Sequence, residues 1–275
     1  MEVLSSTDTP ATAGTPEASP RPGIVDTLIA LDTSSEIGSV ALYRDGRVVA
    51  EHTWHVGQNH TAETLPTLDY LLDKVTQHEK PHAGQKAVAQ AESSAGKIAL
   101  RAVVVAIGPG SFNGLRAGIA LAKGLAFAAS VPIVGVGTLE VAAYAQSATD
   151  WPICALQPAG HGEVAAALYQ MVGGVWTEKM APEILTLDAL LARMERPTLF
   201  CGEPSPLDMA TIVDRLGGQA RIASPAALVR RAGFLAELGE RRLESGQVDD
   251  IATLQPLYLR RPPITRPRSG LRGFH

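Results

Sequence analysis

Cysteine, long apolar runs and, at one end, acidic side chains are what this 275-residue chain has least of. Its two cysteines, Cys154 and Cys201, lie far apart with no Cys-x-x-Cys spacing, so a disulfide framework is excluded and a reducing compartment fits. Both read as core thiols. No apolar stretch reaches the roughly 18 residues that a membrane span needs, and the first 26 residues lack the charged-then-apolar pattern of a signal peptide. The expectation is a soluble, cytoplasmic protein with no membrane partner. No Gly-Lys-Ser or Gly-Lys-Thr occurs, which excludes a Walker A nucleotide loop. Residues 251–275 lack Asp and Glu but hold Arg260, Arg261, Arg266, Arg268 and Arg272. Without those five, 19 basic residues stand against 28 acidic ones, so the net charge of −4 conceals a basic tail on an acidic body. Such a tail suits nucleic acid or an acidic partner, and equally suits plain solvation.

What is present is enough apolar material, 45% of residues, for a real core in one large domain or two smaller lobes. Residues 1–25 are rich in Ser, Thr, Pro, Ala and Gly and read as a disordered leader. Strand-like runs follow over 28–32, 39–43 and 47–52, the last two joined by Asp45-Gly46, a two-residue hairpin signal. Ala62, Leu65, Leu68, Leu71, Leu72 and Val75 recur at helical spacing, with Asn59 or Thr61 as cap and Pro66 in an early turn. Residues 78–97 turn to Ala, Gln, Ser, Gly and Lys and read as a flexible insertion. A strand over 101–107, a helix over 115–129, a strand over 133–136 and a helix over 138–146 then describe half of a ribonuclease-H-like α/β unit. The pattern partly restarts at Trp151, with strands over 153–156, 164–169 and 198–202 and helices near 188–195 and 226–244. The division expected is an N-terminal lobe over 26–148, a similar C-terminal lobe over 149–260 and a basic tail over 261–275.

The segment Ile107-Gly108-Pro109-Gly110-Ser111-Phe112-Asn113-Gly114-Leu115-Arg116-Ala117-Gly118 joins an apolar strand to a helix. Gly108 and Gly110 admit backbone angles closed to other residues, Pro109 fixes its own φ, and Ser111 or Asn113 can cap the helix. Gly108, Gly110 and Gly114 are spaced one step too long for the dinucleotide fingerprint. The turn therefore reads either as a tight connection or as an anion cradle at a helix N-terminus. Asp32 closes the first strand, and Thr33-Ser34-Ser35-Glu36 after it offers no glycine to wrap a phosphate, so capping of its own turn is the preferred role. Asp32 and Thr33 are the candidates for a degenerate nucleotide site. His52, His55 and His60 cluster without a His-Glu-x-x-His pattern, and no metal is assigned to them.

Three pieces taken together resemble the bacterial TsaB family: Leu31-Asp32-Thr33-Ser34-Ser35 with Ser39-Val40-Ala41-Leu42, the Gly108–Gly118 segment, and Pro132-Ile133-Val134-Gly135-Val136. The ending Pro256-Leu257-Tyr258-Leu259-Arg260 resembles it as well. The resemblance implies an α/β ASKHA (actin, sugar-kinase, Hsp70-like) fold with two ribonuclease-H-like lobes. It implies action beside TsaD and the ATPase TsaE in forming threonylcarbamoyladenosine at position 37 of tRNA, with tRNA met indirectly through the complex. It implies a homodimer when TsaD is absent, and no cofactor on this chain alone, ATP or ADP being placed at the complex interface. The family's Asp-Ala-Arg-x-Gly-Glu-Val-Tyr run is replaced by Gln157-Pro158-Ala159-Gly160-His161-Gly162-Glu163-Val164-Ala165, and Asn113 stands where the family has Thr. The metal-binding His-x-x-x-His pair of the paralogue TsaD falls on Thr138 and Ala142, which cannot hold a metal, with Glu140 between them expected to face solvent.

With no catalytic or metal-binding residue assigned, the helix 115–129 becomes the expected place of function. Gly114, Gly118, Ala122 and Ala126 recur every four residues, and Arg116 and Lys123 are the only charges between 111 and 130. Small side chains let a second helix approach closely. In the resembled family this surface docks TsaD, so the expected partner face is Leu115, Gly118, Ile119, Ala122, Leu125 and Ala126, with Leu65 and Leu68 of the preceding helix. Burial against the protein's own sheet is the competing use of the same residues. The expected function is that of a non-catalytic TsaD partner. An M22-type metallopeptidase and a small ASKHA phosphotransferase are the alternatives.

Overall fold

A computed structural model describes residues 26–56, 60–78 and 99–260. The expected leader, residues 79–97 of the expected insertion, the Asn59 cap and the basic tail lie outside the described residues. The first half comprises β1 (Asp26–Asp32), β2 (Ile37–Arg44), β3 (Arg47–His55), α1 (His60–His78), β4 (Ala99–Gly108), α2 (Phe112–Ala129), β5 (Ile133–Gly137) and α3 (Thr138–Tyr144). Its sheet runs β3-β2-β1-β4-β5. β1 and β4 are nearly continuous runs of Val, Ile, Leu and Ala because both sheet faces are covered, the usual reading of a parallel strand pair. Asp45 (φ 50°) and Gly46 (φ 73°) make the tight hairpin between β2 and β3, as their dipeptide predicts.

The second half comprises β6 (Ile153–Gly160), β7 (Glu163–Val172), β8 (Val175–Thr186), α4 (Leu187–Leu191), β9 (Thr198–Gly202), α5 (Pro206–Leu216), β10 (Ala220–Ile222) and α6 (Ala232–Glu244). Its sheet runs β10-β9-β6-β7-β8. Counted within its own half, each sheet has the order third, second, first, fourth, fifth. This duplicated ribonuclease-H-like order is the ASKHA arrangement.

Four apolar clusters place the layers. α1 and α2 cover one face of the first sheet through Leu68, Leu71, Ile119, Ala122 and Ala126. α6 covers its other face, where Gly239 lets the helix approach Val104 so closely that a Cβ would lie 2.4 Å from a valine methyl. α3 packs on the second sheet through Leu139, Ala142 and Ala143, and α4 and α5 cover that sheet's outer face. The order is helices, sheet, helices, sheet, helices. Cys154 and Cys201 sit on adjacent strands but face opposite sides of the second sheet. Burial pushes the Cys154 thiol up to about 12 and the Cys201 thiol well above its ordinary value, so both are inert core groups.

Several boundaries differ from the sequence reading. β8, α5 and β10 were not expected, α4 is five residues long rather than spanning 188–195, and α3 ends at Tyr144 rather than 146. The helix placed at 226–244 splits into a 3-10 turn over Pro225–Leu228 and α6 from Ala232. The intervening residues, Val229 to Arg231, are extended and carry a side chain that the site requires. Among the described residues no helix is long and apolar enough to cross a membrane.

Candidate functional site

The first strand of the first sheet ends at Asp32, whose carboxylate is buried (1% exposed). One oxygen accepts from the Ser34 amide at 2.9 Å and from the Ser34 hydroxyl at 2.5 Å, so Asp32 does cap its own turn. The other accepts at 2.9 Å from Nε of Arg230, which the extended segment before α6 delivers into the space between the two sheets. The same guanidinium donates to Glu203, just beyond β9, at 2.6 Å, and to the hydroxyls of Ser34 and Ser35 at 3.0 and 2.9 Å. Burial by itself would raise the Asp32 carboxyl. The Arg230 charge and the Ser34 bonds outweigh it and hold the group below the usual carboxylate range. For Arg230 burial opposes the charge, and the carboxylates of Asp32 and Glu203 override it and hold its pKa above the ordinary arginine value.

An acidic residue here is where an ASKHA enzyme would gather a divalent cation and nucleotide phosphates. The residues present do not fit that group: a buried cation already engages Asp32 and Glu203, and the carboxylate's two oxygens are both committed. Arg230 and Glu203 escaped the sequence reading. Arg230 lies in Leu228-Val229-Arg230-Arg231 and carries no motif that distinguishes it from its exposed neighbour.

The Gly-Pro-Gly turn packs on the Asp32 turn. A Cβ at Gly110 would stand 2.2 Å from the Ser34 carbonyl oxygen, and that carbonyl accepts from the Ser111 amide at 2.7 Å. Ser111 caps α2 by accepting from the Gly114 amide at 3.3 Å, and its carbonyl takes the Leu115 amide at 2.9 Å. Asn113 is exposed within the helix and takes no part in the cap. Gly108 (φ 112°) sits where the chain bends between Leu115 and the Leu257 carbonyl. The amides of Ser111, Gly114 and Leu115 are thus engaged inside the protein, and the turn is a joint. Thr33 strengthens it by donating to the Gly114 carbonyl at 2.7 Å.

The joint fixes which side of α2 faces inward. Leu115, Gly118, Ile119, Ala122 and Ala126 are buried against the protein's own sheet, as is Leu68 of α1. This corrects the expected partner face at those six positions: their small or apolar side chains serve self-packing. Gly118 is the clearest case, since a Cβ there would lie 2.1 Å from the Thr33 hydroxyl. Of the expected face, Leu65 is half exposed and Leu125 is partly buried. The outer face of α2 is instead Asn113, Arg116, Ala120, Gly124 and Phe127, with Phe127 78% exposed. Phe127 is the one large apolar side chain among these five, a signal that periodicity analysis passed over. Between α1 and α2 lies an apolar cavity of 280 Å³ bordered by Thr33, Thr64, Leu65, Ala117 and Leu121.

Glu140 does not face solvent as expected. It pairs with Arg242, which also donates to the Gly135 carbonyl, and burial raises its carboxyl while Arg242 partly offsets the rise. Thr138 and Ala142 are buried, and among the described residues no three His, Cys, Asp or Glu side chains converge as a metal site. His52 stacks on Trp54 at 5.3 Å, and His55 meets Glu36 at the surface. The altered loop is a tight hairpin: Gly160 ends β6, His161 (φ 54°) and Gly162 (φ 76°) turn, and Glu163 begins β7 and pairs with Arg260.

Comparison with known proteins settles the family. A family model described as TsaD, tRNA N6-adenosine threonylcarbamoyltransferase, matches residues 77–202. The tRNA threonylcarbamoyladenosine biosynthesis protein TsaB of Bacillus subtilis (strain 168) is 32% identical over 238 residues, spanning 85% of this chain and 94% of that protein. The chain belongs to the TsaB family. The TsaB of Escherichia coli (strain K12) is 31% identical over 173 residues, 62% of this chain and 66% of that one. A Pseudomonas aeruginosa crystal structure, described as an uncharacterized protein with similarity to peptidase YEAZ, has a TM-score of 0.65 at 26% identity, covering 86% of this chain and 100% of the other.

Proposed function

We propose that this TsaB-family chain takes part in forming threonylcarbamoyladenosine on tRNA as a non-catalytic subunit that docks TsaD through the outer face of α1 and α2. The observation that carries the reading is the buried guanidinium of Arg230, which occupies the cleft that a nucleotide-dependent enzyme of this fold keeps open. With the cleft filled, activity must lie in a surface. Leu65, Ala120, Gly124 and Phe127 form an uncharged ridge beside the apolar cavity between the helices, and the absence of a side chain at Gly124 lets another helix come close. The same ridge serves a homodimer when TsaD is absent. TsaE is a further subunit, and nucleotide is held at the subunit interface rather than in this chain's cleft.

The test is reconstitution of threonylcarbamoyl transfer from purified subunits with and without this chain, joined to capture of TsaD. Transfer should depend on the chain. Gly124→Trp, placed where nothing lies within 4 Å, should abolish capture while the protein keeps its melting temperature. Transfer that proceeds equally well without the chain would overturn the reading, as would undiminished capture by Gly124→Trp.

A further inference from the structure

We propose that Arg230 and Glu203 are positioning residues for the docking helix: they hold the Asp32–Ser35 bend, and through it the leading turns of α2, where the ridge can meet TsaD. This role rests on the docking reading above and draws the second half of the chain into it.

The link starts on the second sheet. Gly202 (φ 93°) brings the end of β9 so close to β6 that a Cβ there would lie 2.4 Å from the Leu156 carbonyl oxygen, which accepts from the Glu203 amide at 2.8 Å. The Glu203 backbone is therefore fixed to β6, and its carboxylate takes one arm of the Arg230 guanidinium at 2.6 Å. The same planar group donates to Asp32 at 2.9 Å and to the hydroxyls of Ser34 and Ser35 at 3.0 and 2.9 Å. Four bonds from a rigid fork leave the bend one position relative to β9.

The other side of the bend carries α2. The Ser34 carbonyl accepts from the Ser111 amide at 2.7 Å, and the Thr33 hydroxyl donates to the Gly114 carbonyl at 2.7 Å. Gly118 lies directly on Thr33, with no space between them for a Cβ. Thr33, Ser34 and Arg230 are 1%, 0% and 4% exposed, so water does not replace a bond lost among them. Thr33 also borders the apolar cavity together with Leu65 and Ala120 of the ridge. Bend, cavity and ridge thus share one wall, and Glu203 reaches it through Arg230 without touching it. By reciprocity, a partner seated on the ridge favours the same set of bonds.

The Glu203 side chain is 36% exposed, which makes it the gentlest place to break the link. The test reads TsaD affinity and amide hydrogen exchange, followed by mass spectrometry, on the purified full chain. Glu203→Gln leaves Asp32 to balance Arg230, so the variant should fold. It should weaken TsaD binding about fivefold or more and speed exchange in peptides covering 111–116. Arg230→Lys keeps the charge but cannot reach Asp32, Glu203 and both serines together, and should have the larger effect. Should that variant not fold, Ser35→Ala removes a single hydroxyl and should move both readouts in the same direction. Gly162→Ala, in the surface hairpin, should lower the melting temperature and leave both readouts unchanged, which separates positioning from a general loss of stability. Wild-type affinity in Glu203→Gln and Arg230→Lys, with capture abolished by Gly124→Trp, would overturn this role and leave the docking reading standing. Wild-type exchange at 111–116 in both variants would likewise sever the link from Glu203 to α2. Undiminished capture by Gly124→Trp would instead overturn the docking reading, and this role in docking with it.

Discussion

The two sheets share a strand order yet leave their first strands in opposite ways. β1 ends in the Asp32–Ser35 bend, which is clasped by Arg230 from beyond the second sheet, by the Ser34–Ser111 hydrogen bond and by the close approaches of Gly110 and Gly118. β6 ends in the His161-Gly162 hairpin, with open space around Gly160 and Gly162 and one surface pair between Glu163 and Arg260. The repeated scaffold therefore does not repeat its function. One turn is an internal joint between the halves, and its counterpart is a solvent-facing loop.

Arg230→Met should have the largest effect, because it leaves Asp32 buried without its counter-charge. The expected loss is about 3–5 kcal/mol in urea unfolding, with part recovered by adding Asp32→Asn. The comparison breaks if the single variant is as stable as the wild type. Gly110→Ala comes next, at about 1–3 kcal/mol, since the Ser34 carbonyl must move. Gly162→Ala in the other turn meets no neighbour and bears only the strain of φ 76°, about 1 kcal/mol. Equal losses at the two glycines would erase the distinction between joint and loop. Arg260→Ala should shift stability by less than about 1 kcal/mol, as a partly exposed ion pair does.

Acid titration sharpens the contrast further. Asp32 binds a proton less readily folded than unfolded, so its stabilisation is complete above the unfolded carboxylate value of about 4 and is lost as pH falls through the lower folded value. The stability gap between wild type and the Asp32→Asn, Arg230→Met protein should accordingly narrow below about pH 4. A gap that stays constant down to pH 2 would mean that the pair carries no pH-dependent stability.

Much of the first half was legible because its signals are local. Alternating and continuous apolar runs placed β1, β2 and β4, Asp45-Gly46 placed the hairpin, and Ser111 was one of two candidate caps of α2, the other being Asn113. The second half was read less well. β8 mixes Trp176, charges and Pro182 on a sheet edge, and β10 is only three residues long, so neither has a period to detect. α5 had a usable sign in Ser205-Pro206-Leu207-Asp208, whose capping box is formed. The candidate site was partly legible. Asp32 and Thr33 were singled out, but Arg230 is brought to them from 198 residues away by the fold, and no spacing rule spans such a distance. The outer and inner faces of α2 were confused for a related reason: a helix of Gly and Ala gives little contrast, and its orientation follows from the Thr33 contact rather than from its own pattern.

The crossed placement of α3 and α6 also bears on how the protein is made. α6, which follows the whole second sheet in the chain, roofs the first sheet, and the Ser39 hydroxyl and Glu51 carboxylate of that sheet accept its leading amides. A nascent chain halted before residue 232 would expose Ala30, Val104 and Val136 to water however well its strands had paired. The first half must therefore wait for α6, and the emergence of that helix rather than completion of a lobe is the moment at which the inner face of the first sheet is covered.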